Sequence, residues 1–139
     1  MWWAISLLLA GSFSDMVKDP AAMRFCAASA QIGLDETAAA HGKGSDEVRY
    51  QQEIVDLFVA QLRKLGAADA AALAATKRAI GESEEDLAQA DRCGQLATVT
   101  PTGGDLARAA AELDTGWANG DPASEAADAA VAALREPRR

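Results

Sequence analysis

The sequence predicts an all-α fold, a compact bundle of five or six short helices closed by one disulfide. Apolar residues recur at three-and-four spacing along most of the chain, no stretch alternates with period two over the length of a strand, and β-branched residues are sparse. About a quarter of the residues are alanine, the strongest helix former. The only two cysteines, Cys26 and Cys93, both lie in helix-forming segments.

The first helix of the predicted domain begins at an Asp-Pro pair. Asp19 is a typical capping residue, and Pro20 is favoured in the first turn of a helix. The helix is expected to continue to about His41, where glycine and a positive charge end it. Its apolar stripe consists of Met23, Cys26, Ala27, Ala30, Leu34 and Thr37.

The second helix has the strongest apolar pattern in the chain and is predicted to be the central helix of the core. Ser45 caps it, two acidic residues occupy its first turn, and Gly66 ends it. One ridge carries Val48, Val55, Phe58, Leu62 and Leu65, flanked by Ile54, Leu57 and Val59.

Weaker patterns predict the remaining helices at about 68–80, 83–97, 105–117 and 122–135. Ser83 and the acidic residues after it open the helix at 83–97. That helix is expected to bury Leu87, Ala90 and Cys93 in one apolar sector, and the next helix Leu106, Ala110, Leu113 and Trp117. Residues 137–139 are interpreted as a solvated tail.

An apolar run from Trp2 to Phe13 predicts a secretory signal. A spanning helix needs about 20 apolar residues, so this run is short for an anchor, but its length suits the apolar region of a signal peptide. Small residues allow cleavage after Ser12 or after Ser14. We therefore interpret residues 1–14 as a signal peptide and 15–136 as a single helical domain, with no stable membrane span after processing.

Two other interpretations of the N-terminus stay open. No Lys or Arg precedes the apolar run, whereas signals usually begin with positive charge. The run could instead be a hydrophobic first helix of a cytoplasmic protein, or an uncleaved segment that tethers the chain to a membrane. Export remains the interpretation on which the predicted periplasmic location rests.

Export would allow the two cysteines to be oxidised. An even number of cysteines in a small secreted domain is typical of structural disulfides, so we predict a Cys26–Cys93 bridge. Closing a loop of this size stabilises a protein by about 4 kcal/mol in the chain-entropy model. The competing interpretation is two buried thiols packed as small apolar groups.

Charge excludes two classes of partner. The chain has 13 basic and 21 acidic residues, and its net charge is −8. Nucleic acids and anionic membrane surfaces are bound by clustered Lys and Arg, whereas the basic residues here are scattered among acidic ones. We therefore expect no nucleic-acid partner; the partner would be an unidentified protein or small molecule.

Candidate catalytic and metal-binding groups are few. His41 is interpreted as a helix-terminal residue, and the acidic cluster Glu82, Glu84, Glu85 and Asp86 as the first turn of a helix, because the ligand spacing of a calcium loop is missing. Neither Cys-x-x-Cys nor Cys-x-x-Cys-His occurs. We therefore assign no catalytic, cofactor-binding or metal-binding residue and expect no cofactor.

Three segments, RFCA, EIVDLFVAQLRKLG and ADRCGQLA, carry a resemblance that covers about residues 23–97. Their order resembles that in a group of small, uncharacterised exported helical proteins of alphaproteobacteria, in which an early and a late cysteine bracket a helix with an aromatic and aliphatic core. The resemblance implies export and a disulfide, and it implies no activity.

These observations predict a non-enzymatic periplasmic protein that acts by binding or structural interaction. Two alternatives are kept. The surplus of acidic residues is compatible with an acid-stress or holdase-type helper of the cell envelope, which exposes apolar surface when its carboxylates are protonated. The acidic cluster or His41 could instead serve a metal-binding or enzymatic module.

Overall fold

The computed structural model describes residues 11–100 and 104–115, and within them the predicted all-α bundle is confirmed. The described chain forms six α-helices and no strand. In chain order they are α1 (Phe13–Lys18), α2 (Pro20–His41), α3 (Asp46–Lys64), α4 (Ala70–Ala79), α5 (Glu84–Val99) and α6 (Leu106–Leu113).

The predicted capping residues start their helices. The side chain of Asp19 accepts a hydrogen bond from the N–H of Ala21, 2.9 Å away, at the start of α2. The hydroxyl groups of Ser45 and Ser83 each accept a hydrogen bond, at 3.2 Å, from the N–H of the residue three positions later. The predicted starts of α3 and α5 are therefore confirmed as well. Gly42 has a φ of 86°, a conformation that favours glycine, directly after α2.

α2, rather than the predicted α3, is the central helix of the bundle. It packs against α1, α3, α4 and α5. Small residues make this possible, because they let neighbouring helices approach closely: Ala22 and Ala27 are fully buried, and a Cβ at Gly33 would lie 3.3 Å from the side-chain oxygen of Gln51 in α3. The apolar ridge of α3 packs onto this helix through Val55, Phe58 and Leu62.

The predicted disulfide is present. It joins Cys26, the seventh residue of α2, to Cys93 in α5, with a Cα–Cα distance of 5.3 Å. The two cysteines are 0% and 3% exposed, so the bridge lies within the core. The cluster around it consists of Phe13, Met16, Val17, Ala22, Met23, Ala27, Phe58, Leu62, Leu96, Leu106, Ala110 and Leu113.

The prediction that Leu87 packs into the core is wrong. Leu87 is 57% exposed, and the buried row of α5 is Gln89, Cys93 and Leu96, followed by Thr100 just after the helix. These positions follow each other at four, three and four residues. The disulfide determines this orientation, because Cys93 must face α2 and Leu87 then lies outside the buried sector.

A short helix not predicted from the sequence, α1, belongs to the core. Phe13, Met16 and Val17 are buried, and α1 packs against α2 and α6. Phe13 falls within the segment interpreted as signal peptide, whose residues 1–10 lie outside the described residues, so that interpretation stays a prediction. Trp117, the expected helix at 122–135 and the tail at 137–139 also lie outside them.

None of the helices in the described ranges combines the length and the apolar character that a membrane span requires.

Candidate binding groove

A groove lies between α3 and α5. Both helices pack on α2, and the space between them forms two adjoining pockets of about 390 and 240 Å³. Tyr50, Ile54 and Ala97 line both pockets. The groove therefore continues along α3 rather than being two separate depressions.

The lining of the groove is mostly apolar. Tyr50 is 56% exposed, the largest exposed aromatic side chain among the described residues, and Ile54 and Leu57 are half-buried below it. The disulfide contributes to the wall of the smaller pocket. Thr100 lines the larger pocket, and its hydroxyl donates a hydrogen bond to the carbonyl oxygen of Leu96, 2.6 Å away.

Charged side chains form the rim of the larger pocket. Glu53 and Asp56 follow each other at three residues on α3, and Lys64 lies two turns further along the same helix. Asp56 accepts a hydrogen bond from the side-chain amide of Gln52, at 2.9 Å. Asp56 and Lys64 thus contribute one charge of each sign to this rim.

Sequence reasoning missed Tyr50, although a signal for it exists. Tyr50, Ile54 and Leu57 stand at i, i+4 and i+7, which places them in one row on the helix surface. This row runs beside the ridge of Val55, Phe58 and Leu62 that packs on α2. The apolar sector of α3 is thus wider than the part that packs on α2. Its second row, Tyr50, Ile54 and Leu57, lines the groove.

The residues considered for chemistry do not converge. His41 is exposed at the end of α2, and Glu82, Glu84 and Glu85 are exposed at the start of α5. Asp86 accepts a hydrogen bond from the N–H of Gly81, 2.8 Å away. Within residues 11–100 and 104–115, no group of three or more His, Cys, Asp or Glu side chains is arranged to hold a metal ion.

A polar cluster joins α1 to the end of α6. The carboxylate of Asp114 accepts hydrogen bonds from the N–H groups of Phe13 and Ser14, at 2.7 and 2.9 Å. The guanidinium of Arg92 lies 4.5 Å from the centre of the Phe13 ring, as in a cation–π contact, and donates to the carbonyl oxygen of Gly11 at 2.6 Å.

Burial alone would raise the pKa of Asp114, but its surroundings lower it. Hydrogen bonds from the side chain and main chain of Ser14 and from the main chain of Phe13 favour the carboxylate, as does the charge of Arg92. Burial lowers the pKa of Arg92, and the charge of Asp114 opposes that shift. The cluster is thus built around an ionised Asp114.

Comparisons with known proteins assign no family to this chain. It matches no protein-family model, no curated protein and no solved structure. The groove and the Asp114 cluster therefore have to be interpreted from their own geometry.

Proposed function

We propose that the protein is an exported, periplasmic helical protein that acts by binding or structural interaction and carries out no catalysis. The observation that carries the proposal is the Cys26–Cys93 disulfide, which lies fully within the core between α2 and α5. Disulfides of this structural kind persist in oxidising compartments. The signal-like N-terminus and the resemblance to exported two-cysteine helical proteins agree with this proposal.

The binding surface in this proposal is the groove between α3 and α5. Its apolar lining around Tyr50 offers burial to an apolar partner group, and its rim carries the exposed carboxylate of Asp56. The net charge of the whole chain, −8, also attracts cations. The occupant is therefore an apolar protein segment that carries Lys or Arg.

Cell fractionation tests the compartment. The native chain is produced in its own host from its first residue, the envelope and cytoplasmic fractions are separated, and free thiols are alkylated before and after reduction. The proposal expects the protein in the envelope fraction, with both thiols blocked until reduction. Protein found wholly in the cytoplasm with two free thiols would contradict it.

Peptide titration tests the groove. The probe is an amphipathic peptide of alternating Leu and Lys, compared with the same peptide in which Glu replaces Lys, and binding is followed by amide chemical shifts. We expect the Lys peptide to shift α3 and α5 resonances around Tyr50 and the Glu peptide to bind at least tenfold more weakly. Equal binding of both peptides would contradict the role of negative charge in this binding.

A matched pair of variants localises this binding. Tyr50 and Leu87 are 56% and 57% exposed, but only Tyr50 lines the groove. Tyr50→Ala is expected to weaken the Lys peptide at least fivefold, whereas Leu87→Ala leaves it unchanged. If both substitutions have the same effect, the peptide binds elsewhere or without a defined site.

A further inference from the structure

We infer that the signal peptide is cleaved between Ser12 and Phe13, and that Asp114 binds the α-ammonium group which this cleavage creates at Phe13. The inference rests on the proposed export of the chain. It selects one of two bonds that small residues make available to a signal peptidase, after Ser12 and after Ser14.

Cleavage after Ser14 would remove groups that the fold uses. Phe13 is 9% exposed and belongs to the core cluster, and its ring lies under the guanidinium of Arg92. The same cut would remove both N–H donors of the Asp114 carboxylate and would leave four residues of α1. A mature chain that begins at Asp15 therefore lacks part of its own core.

Cleavage after Ser12 keeps all of these groups. Hydrolysis of the Ser12–Phe13 peptide bond adds one water: Ser12 leaves with a carboxylate, and the nitrogen of Phe13 becomes an amino group that is protonated at neutral pH. That nitrogen already lies 2.7 Å from Oδ1 of Asp114. The hydrogen bond from a neutral amide thereby becomes a charge-assisted one, which is stronger.

The negative charge of Asp114 complements a positively charged α-ammonium group at Phe13. An ammonium group at the start of a helix is opposed by the helix dipole. Asp114 supplies a carboxylate at that place from α6, and Ser14 provides a second N–H donor to its other oxygen at 2.9 Å. The carboxylate would then interact with two cations, the new terminus and Arg92.

At least three hydrogen bonds among the described residues disappear on cleavage after Ser12. The main-chain carbonyl oxygen of Ser12 accepts one of them, from the N–H of Met16 at 3.0 Å. The hydroxyl of Ser12 accepts from the N–H of Asp15 at 3.0 Å, in an exposed position where water can replace it. Arg92 loses the carbonyl oxygen of Gly11 but keeps the ring of Phe13 and the charge of Asp114. None of these losses removes a side chain of the apolar core.

The intact mass of the exported protein tests the cleavage point. A mass equal to residues 13–139 with one disulfide supports the inference. A mass that begins at Asp15, or at any other residue, overturns it while leaving export in place. A full-length chain with two free thiols overturns both the inference and the proposed function.

A second experiment tests the role of the new terminus. Two chains are prepared by removing a cleavable leader, one beginning at Phe13 and one at Asp15, and their thermal unfolding is compared. The Phe13 chain is expected to melt about 10 °C or more above the Asp15 chain, because the latter lacks a buried phenylalanine. Failure of only the Asp15 chain to fold gives the same support, and equal melting temperatures overturn the inference.

Acetylation separates the ammonium charge from the phenylalanine side chain. The Phe13 chain is compared with its N-acetylated form, each with and without Asp114→Asn. The free amine is expected to raise the melting temperature by a few degrees only where Asp114 is present. If acetylation changes the melting temperature equally in both backgrounds, Asp114 does not bind the terminus.

Discussion

The side-chain amide of Gln61 donates a hydrogen bond to the main-chain carbonyl oxygen of Val17, 2.7 Å away and 44 residues earlier in the chain. Val17 belongs to the last turn of α1, where carbonyl groups have no partner within their own helix. Gln61 is 8% exposed, so the bond lies in the protein interior. A buried polar side chain of α3 thus supplies a donor to one of the carbonyl groups at the end of α1.

Gln61→Met should destabilise the protein. The substitution keeps the volume of the side chain but leaves the Val17 carbonyl without its donor, at a cost of about 1–3 kcal/mol. Urea unfolding followed by circular dichroism measures the free energy of unfolding. A variant as stable as the parent chain would show that water reaches this carbonyl.

The opposite result is expected for Gln89→Met. Gln89 is 1% exposed, and neither atom of its side-chain amide has a hydrogen-bond partner among the described residues. Replacing an unpaired buried amide by an apolar side chain of similar volume should raise the free energy of unfolding by about 1–3 kcal/mol. The Gln61 variant is the matched control, and a loss of stability in both would mean that Gln89 has a partner.

Removing the disulfide should lower stability substantially. The bridge closes a loop between positions 67 residues apart, for which the chain-entropy model gives about 4 kcal/mol. The double variant Cys26→Ala, Cys93→Ala is compared with the parent chain in urea. Reductant should destabilise the parent chain and leave the double variant unchanged; sensitivity of the variant to reductant would point to another cause.

Leu96 and Leu87 give a test of how α5 is oriented. Leu96 is fully buried, whereas Leu87 is 57% exposed. Leu96→Ala is expected to cost about 2–5 kcal/mol and Leu87→Ala less than about 0.5 kcal/mol. Comparable losses in the two variants would show that α5 is rotated relative to the structure described here.

Asp114 should make stability depend on pH in acid. Although burial opposes it, hydrogen bonds from Ser14 and Phe13 hold the pKa of Asp114 below its ordinary value in the folded protein. The stabilisation is therefore complete above about pH 4, the ordinary pKa of an aspartate, and is lost as the pH falls through the lower pKa of the folded state. Asp114→Asn should be less stable than the parent chain at pH 7.

The measurement is urea unfolding of the parent chain and Asp114→Asn between pH 2 and 7. The two curves should converge at the acidic end, because a protonated aspartate resembles asparagine. Asp35→Asn is the control: a hydrogen bond from Lys77 lowers the pKa of Asp35 too, but that pair is exposed and screened. A larger pH dependence from Asp35 than from Asp114 would contradict the assignment.

Helix boundaries could be predicted because they depend on residues close together in the sequence. The disulfide could be predicted because the chain has only two cysteines. Asp19, Ser45 and Ser83 act through hydrogen bonds to N–H groups two or three residues away, so sequence alone identifies them. Two cysteines allow only one intramolecular pairing. The ridge of α3 is likewise visible because its period matches the helix.

The features that sequence reasoning missed depend on distant contacts. α1 has six residues, too few for a periodic pattern, and it is held by Asp114 and Gln61 from elsewhere in the chain. The exposure of Leu87 follows from the rotation of α5 that Cys93 imposes. The groove exists because α3 and α5 share α2 as a support, a relationship that no single helix reveals.

If the chain is exported as we propose, the contacts between Asp114 and α1 have a consequence for the timing of that export. They join residues 100 and 101 positions apart, and a chain that crosses a membrane from its N-terminus delivers α1 first and α6 about a hundred residues later. Contacts so distant in sequence also close slowly. During translocation α1 would therefore stay unpacked until Asp114 has crossed the membrane. In that interval a signal peptidase could reach the Ser12–Phe13 peptide bond, before folding makes the bond less accessible.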